Sequence, residues 1–540
     1  MSVKSKLRYA LLAGAVLVQP GLGVAQAGGS MTVTYQSDVA TLDPAIGYDW
    51  QNWSMIKSLF DGLIDYEPGN TTIVADLAES FDIAPDGLTY TFHLRQGVKF
   101  HNGREMTAED VKYSLERTVN PATQSPGASY YDTILGYAEV AGGSASELSG
   151  VKVIDPYTLT IELSRPDAPF LHKLALNFAF VVPKEAVEEY GADFGKHPVG
   201  TGAFRLADWT LGQHVIFERN PDYYIADRPR LDQIVFEIGQ DPSVALLRLE
   251  RGEVDLLGDG IPPARFVDVM NNPDLRPLVV QGGQLHTGYV TLNTRVPPLD
   301  NVKVRQALNM AINKERIVQI INGRAVVANQ ALPPAMPGYG TTETGYPYDP
   351  EKAKALLAEA GFPDGFASEL YAANIDPNPR IAQAIQQDLA EIGVKVEIKA
   401  LDPSVVIGAG GTEGGAPMVW SGGMAWIADF PDPSNFYWAI LGCGAAAPGG
   451  WNWSWYCSEP IDALAGEADA LADPAQAQAR LDMWTEIFAK VLADAPWIPI
   501  FNEERFTMHS ARIAADTNAI FVDPVHIPVH YDVVFATDAQ

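Results

Sequence analysis

Strand-like and helix-like segments alternate along the whole of this chain, with no internal repeat and no long Ser- or Pro-rich linker. That pattern predicts α/β lobes. At 540 residues the chain is too long for one ordinary core, so more than one unit is expected. Without a linker, any two lobes must be joined by short strand-like crossings. Residues 31–35 read as a short strand and 50–61 as a helix entering the core. Residues 87–95 alternate cleanly, with Leu88, Tyr90, Phe92 and Leu94 on one face, which predicts a half-buried strand. Thr107 and Asp110 form a capping-box pattern ahead of Val111, Tyr113 and Leu115. Residues 151–163 read as a hairpin turning at Asp155-Pro156. In the second half, 301–321 has the spacing of one helix stopped by Gly323. Asp349-Pro350 opens another helix that Gly361 stops, and 380–392 is a helix feeding the strand 394–400. Asp473-Pro474 opens a long helix with Leu481, Trp484, Phe488, Val491 and Leu492 facing inward, and 497–501 returns as an apolar strand.

The N-terminus predicts export. Lys4, Lys6 and Arg8 precede an apolar stretch from Tyr9 to Val18, and Ala25-Gln26-Ala27 offers a small-residue cleavage site. This is the layout of a secretory signal peptide, and its apolar part is too short to span a bilayer. Cleavage is expected after Ala27. No cysteine lies nearby to carry a lipid anchor, so the mature chain is expected to be free in a periplasm. The two cysteines, Cys443 and Cys457, then read as a disulfide closing a Gly- and Trp-rich loop.

Composition and motifs narrow the function. Net charge is −30, which repels phosphate backbones and argues against nucleic acid as a partner. There is no Gly-x-Ser-x-Gly, no His-Glu-x-x-His and no phosphate loop ending in Gly-Lys-Ser/Thr. Residues 408–414 resemble a dinucleotide loop but miss its spacing, and are expected to form a flexible turn. His526 and His530 sit four apart, but Pro528 between them forbids a metal-binding helix face. No catalytic residue, metal or cofactor is expected.

Five segments, in order, resemble the family 5 extracellular solute-binding proteins, the peptide- and nickel-binding group of ABC import systems. They are 86–100 with Asn102-Gly103 and 107–117; Pro198-Val-Gly-Thr-Gly-Ala-Phe204 with Asn220-Pro-Asp-Tyr-Tyr224; 304–313; 348–357; and Ala428-Asp-Phe-Pro-Asp-Pro-Ser-Asn-Phe436. The resemblance implies a two-lobed periplasmic-binding-protein fold with an extra subdomain in the first lobe. After a signal peptide at 1–27, lobe 1 is expected to comprise 28–284 and 506–540, with the insertion at roughly 62–185, and lobe 2 to comprise 285–505. It implies ligand in the interlobe cleft, closure by a hinge, and ABC permease subunits with their ATPases as partners of a monomer.

The same resemblance implies the site. Asp429, ahead of Pro431-Asp432-Pro433, matches the aspartate that pairs with a peptide's α-ammonium. The alternative is that it caps its own loop. Gly47, Tyr48, Asp49 and Trp50 match a cleft-lining loop, and Tyr130 matches a cleft tyrosine. Trp426 joins them from a dense aromatic set that includes Trp420, Trp438, Trp451, Trp453 and Trp455. Short peptides are the expected ligand. Flat aromatic walls keep an oligosaccharide as the alternative, and a secreted hydrolase with acidic residues in its cleft is the distant one.

Overall fold

The computed structural model describes residues 28–342, 345–422, 424, 426–523 and 530–537, with Trp50 and Gln51 described by their backbone alone. The expected signal peptide and His526 lie outside these residues.

Three sheets carry two α/β lobes. In the first sheet, Ser30–Tyr35 pairs in parallel with Gln233–Ile238 and Leu256–Leu257, and His214–Arg219 and Phe204–Thr210 add antiparallel strands. Met31, Val33 and Tyr35 point to its buried face, as strand alternation requires. A separate antiparallel sheet has the order Ala78–Ile83, Thr89–Leu94, Thr158–Glu162, Val151–Asp155. Tyr90, Phe92 and Leu94 are its buried row. The helix Ala108–Val119 covers it, and the Thr107 backbone N–H donates to the Asp110 carboxylate at 2.9 Å, as its capping pattern predicts. The second lobe is built on seven strands, among them Gly288–Leu292, Met418–Trp420, Ala367–Ala373 and Lys395–Leu401.

One strand ties the lobes together. Trp497–Met508 runs for 12 residues. Its first part pairs with Gly288–Leu292 and its last part with Val279–Gly283. Beyond it, His509 bridges to Leu256 at the edge of the first sheet. The strand continues past Phe501, the end expected for the apolar run, through Asn502, Glu503, Glu504 and Arg505. Two of these are buried with partners: Asn502 donates to the Thr287 hydroxyl at 2.8 Å, and Arg505 to the Gly258 carbonyl at 2.8 Å.

Two other expectations are corrected. The single helix over 301–321 is two, Val302–Ala311 and Lys314–Ile320. Asn313 separates them: its side chain accepts from the Arg316 N–H at 3.0 Å while its own N–H donates to Asp388 at 3.0 Å. A capping side chain competes with continued helix. The glycine-rich stretch 408–414 is not simply a turn, since its start lies in the helix Pro403–Gly410. A Cβ on Gly410 would come within 2.6 Å of the Trp453 ring, so glycine there allows the helix to meet the indole. The Cys443–Cys457 disulfide is formed. Asn452 holds its loop from inside, donating to the carbonyls of Gly442 at 3.2 Å and Tyr456 at 2.8 Å.

Candidate functional site

The loop before the helix Trp50–Leu59 is anchored at several points. Arg117 grips Asp43 with two bonds of 2.8 and 2.5 Å. Asn177 donates to the carbonyls of Pro44 at 2.7 Å and Gly47 at 2.9 Å. Asp49 accepts from the Asn52 N–H at 2.8 Å and so caps the helix. Gly47 lets the loop lie against that helix, because a Cβ would approach Ile56 to 2.4 Å. Gly47 and Asp49 thus fix the backbone from which Tyr48 projects, and Trp50 begins the helix.

Tyr48 reaches across the cleft. Its hydroxyl donates to Asp429 Oδ1 at 2.7 Å. Tyr130, on the short turn Ala128–Tyr131, donates to Oδ2 of the same carboxylate at 2.7 Å. Phe178 backs both phenols, with centroids 5.7 Å from Tyr48 and 6.1 Å from Tyr130, and Phe430 meets Tyr130 edge-on at 6.0 Å. Two tyrosines distant in sequence therefore converge on one acid of the opposite lobe.

Asp429 is 4% exposed. It lies just ahead of the helix Pro433–Ile440, whose Asn435 turns back toward it. The Asn435 amide donates to Oδ2 at 3.2 Å, and its Oδ1 accepts from the Asp429 N–H at 3.1 Å and the Trp426 indole N–H at 2.9 Å. Trp426 therefore braces the loop through Asn435. Among the described residues, no Lys, Arg or His forms an ion pair with Asp429. Burial raises its pKa above the ordinary 3.8, although the hydrogen bonds from Tyr130, Tyr48 and Asn435 pull the other way. Such an acid suits an organic cation, because burial has already removed the carboxylate's own solvent and the cation supplies the charge that water no longer does.

Most of the other tryptophans lie elsewhere. Trp420 is fully buried and donates to Asn378 at 3.0 Å. Trp453 and Trp455 are buried in the disulfide region, while Trp438 and Trp451 are exposed. Sequence reasoning missed Asn435, Phe178 and Phe430. Asn435 was open to detection, since Asp432-Pro433 starts a helix whose first turn carries it. The two phenylalanines carry no comparable signal. His172 was missed too: it stacks on Phe430 at 6.5 Å, its Nδ1 lies 3.1 Å from the Tyr66 hydroxyl, and burial pushes it down to about 4.

Two α/β lobes, strand crossings between them and an aromatic-walled acid at their contact define a two-lobed solute-binding protein. The family model for bacterial extracellular solute-binding proteins, family 5 Middle, matches residues 72–448, and the chain belongs to that family. The chain is 35% identical to the dipeptide-binding protein of Escherichia coli (strain K12) over 441 residues, 77% of this chain and 78% of that protein. It is 31% identical to the glutathione-binding protein GsiB of Salmonella typhimurium over 511 residues, 93% of this chain and 94% of that protein. Its fold is similar to the periplasmic binding protein DppA from Helicobacter pylori in complex with the peptide STSA, with a TM-score of 0.75 and 28% identity, covering 95% of this chain and 99% of that one. The chain is a substrate-binding component of an ABC import system. Among the described residues no helix is long and apolar enough to cross a membrane.

Proposed function

We propose that this protein captures short peptides in the cleft between its lobes, and that Asp429 receives the peptide's α-ammonium. The observation that carries the reading is a carboxylate at 4% exposure whose side-chain partners are two tyrosine hydroxyls and an amide, with no cation among the described residues. A buried carboxylate of this kind is completed by a ligand that brings its own positive charge. The peptide reading gains on the sugar alternative because, of the six clustered tryptophans, only Trp426 reaches the Asp429 network, and it does so through Asn435. Relatives named for dipeptides and glutathione support the same class.

In this reading lobe 1 comprises 28–284 and 506–540, with the insertion at roughly 62–185, and lobe 2 comprises 285–505. The separate four-stranded sheet of Ala78–Ile83, Thr89–Leu94, Thr158–Glu162 and Val151–Asp155 supports the insertion, and the pairing of Trp497–Met508 with Val279–Gly283 supports two neighbouring crossings. The mature protein begins after Ala27, stays in the periplasm as a monomer, delivers its cargo to permease subunits and catalyses no reaction. Native mass spectrometry of protein purified from a periplasmic extract tests the ligand class. A co-purifying peptide supports the reading, and a co-purifying sugar overturns it.

A further inference from the structure

Beside the helix Trp50–Leu59, which contributes Lys57 and Ser58 to its wall, lies a cavity of about 200 Å³. Lys57, Asp61, Asp65, Asp76, Tyr66, Tyr223, Arg228, His530 and Asp532 contribute to its wall. Lys57, Asp65, Tyr66 and His530 also line a smaller void that reaches Trp53, whose ring packs 5.6 Å from Tyr48. The charges in this wall do not balance. Lys57 is paired with Asp65 at 2.5 Å, and Arg228 with Asp532 at 3.0 Å. Asp61 and Asp76, at 5% and 7% exposure, form no ion pair of their own among the described residues, although Lys57 acts on both from nearby. Their side-chain partners are hydroxyls: Thr201 donates to Asp61 at 2.7 Å, and Tyr224 donates to Asp76.

A second observation is independent of the acids. His530 is 6% exposed and lines both voids, yet no hydrogen bond to its ring is found among the described residues. Its closest charged neighbour is Asp65, at 4.0 Å from Nδ1. A buried imidazole facing a cavity without a hydrogen bond has capacity for a ligand. The chemistry of that ligand follows from the spacing. No group of His, Asp or Glu among the described residues converges closely enough to hold a metal ion. Several carboxylates in a wall shared with Tyr66 and Tyr223 suit a larger cation that forms several hydrogen bonds.

We propose that this cavity is a second binding site, using carboxylates other than Asp429, for an alkylammonium or guanidinium group held by Asp61 and Asp76. Burial raises both acids above the ordinary 3.8, Asp76 to about 6 with Asp65 as the next cause, although the nearby Lys57 pulls both down. Two sources share this chemistry, a free small amine and the basic side chain of a bound peptide. The test uses the full mature protein and its Asp61→Asn and Asp76→Asn variants. Asparagine keeps an acceptor for Thr201 or Tyr224, and thermal melts verify that each variant folds.

Saturation-transfer NMR titrations with n-butylammonium and methylguanidinium, against sodium chloride at equal ionic strength, probe the free cation. Calorimetry with Ala-Lys against Ala-Met probes the side chain. The expected result is saturable binding of a free cation, or a preference for Ala-Lys, that falls about tenfold or more in either variant. A loss confined to the free cations assigns a free amine, and a loss confined to Ala-Lys assigns the peptide side chain. Asp429→Asn serves as the control, because free-cation binding that survives there separates this site from the cleft. If neither probe distinguishes the wild type from the folded variants, the proposal is wrong, whatever the fate of the peptide reading.

Discussion

Asp429 and Asp432 lie three residues apart in one loop and are buried alike, at 4% and 3% exposure. Their electrostatic surroundings are opposite. Asp432 receives Arg480 through two bonds of 2.7 and 2.8 Å and accepts from the Ser434 N–H at 2.9 Å, capping the helix Pro433–Ile440. Burial alone would raise its pKa, but the Arg480 guanidinium overrides burial and holds the carboxyl well below its usual range. Asp429 has neutral donors only, and burial prevails. Among the described residues, the chain supplies a counter-ion to the scaffold acid and none to the site acid. Position in the sequence does not separate the two roles; the identity of the partner does.

The largest expected effect lies on the scaffold side. Arg480→Ala leaves Asp432 buried and unpaired, and should cost about 3–5 kcal/mol of stability by urea denaturation. A loss below about 1 kcal/mol would mean that the pair is better solvated than its burial implies. Next comes the frame that both acids share. Replacing Cys443 and Cys457 by serine should lower stability by up to about 3 kcal/mol, the loop-closure value for this span. Unreduced, unfolded wild type should show no free thiol on titration.

On the site side the expected effect is on lobe closure. Each tyrosine hydroxyl bound to Asp429 is worth about 1.5–3 kcal/mol if the acid is charged. The Tyr48→Phe, Tyr130→Phe double variant should therefore open the ligand-free lobes, seen as a larger radius of gyration in small-angle scattering. Saturating ligand should restore the smaller value. An unchanged ligand-free radius would show that other contacts close the cleft.

The smallest effect is on pH dependence, and its sign differs between the two acids. The folded-state pKa of Asp432 is depressed, so its stabilisation is present above the ordinary 3.8 and lost as pH falls through the folded value. The folded-state pKa of Asp429 is raised, so its contribution is fully present below 3.8 and lost as pH rises through the folded value. Asp429→Asn should thus melt slightly higher than wild type at pH 8 without ligand, and the gap should close toward pH 4. A gap that widens on acidification would contradict the assigned shift.

Much of this architecture was legible from sequence where one rule acts alone. The row Tyr90, Phe92, Leu94 and the Thr107 cap depend on neighbours a few residues away, and both are present. The rule failed where a distant partner decides the outcome. Asn502 and Arg505 read as the end of a strand because their partners, Thr287 and Gly258, lie more than 200 positions away. Asn313 divides a helix with the help of Asp388. The candidate site divides in the same manner. Asp429, Tyr48 and Tyr130 are implied by the resemblance, and the fold brings all three together. Phe178 and Phe430 are ordinary apolar residues until the lobes meet.

The account rests on Asp429 as the counter-ion of a ligand amine, and a double cycle by isothermal titration calorimetry tests it most directly. Wild type and Asp429→Asn are each titrated with a tightly bound peptide and its N-acetylated form. Removing one partner of a buried charge pair costs about 2–5 kcal/mol, so either change alone should weaken binding roughly 30-fold or more. Both together should cost little beyond one, because they remove the same interaction. If Asp429→Asn binds the free peptide as wild type does, or if the two losses simply add, Asp429 does not hold the amine and the central claim fails.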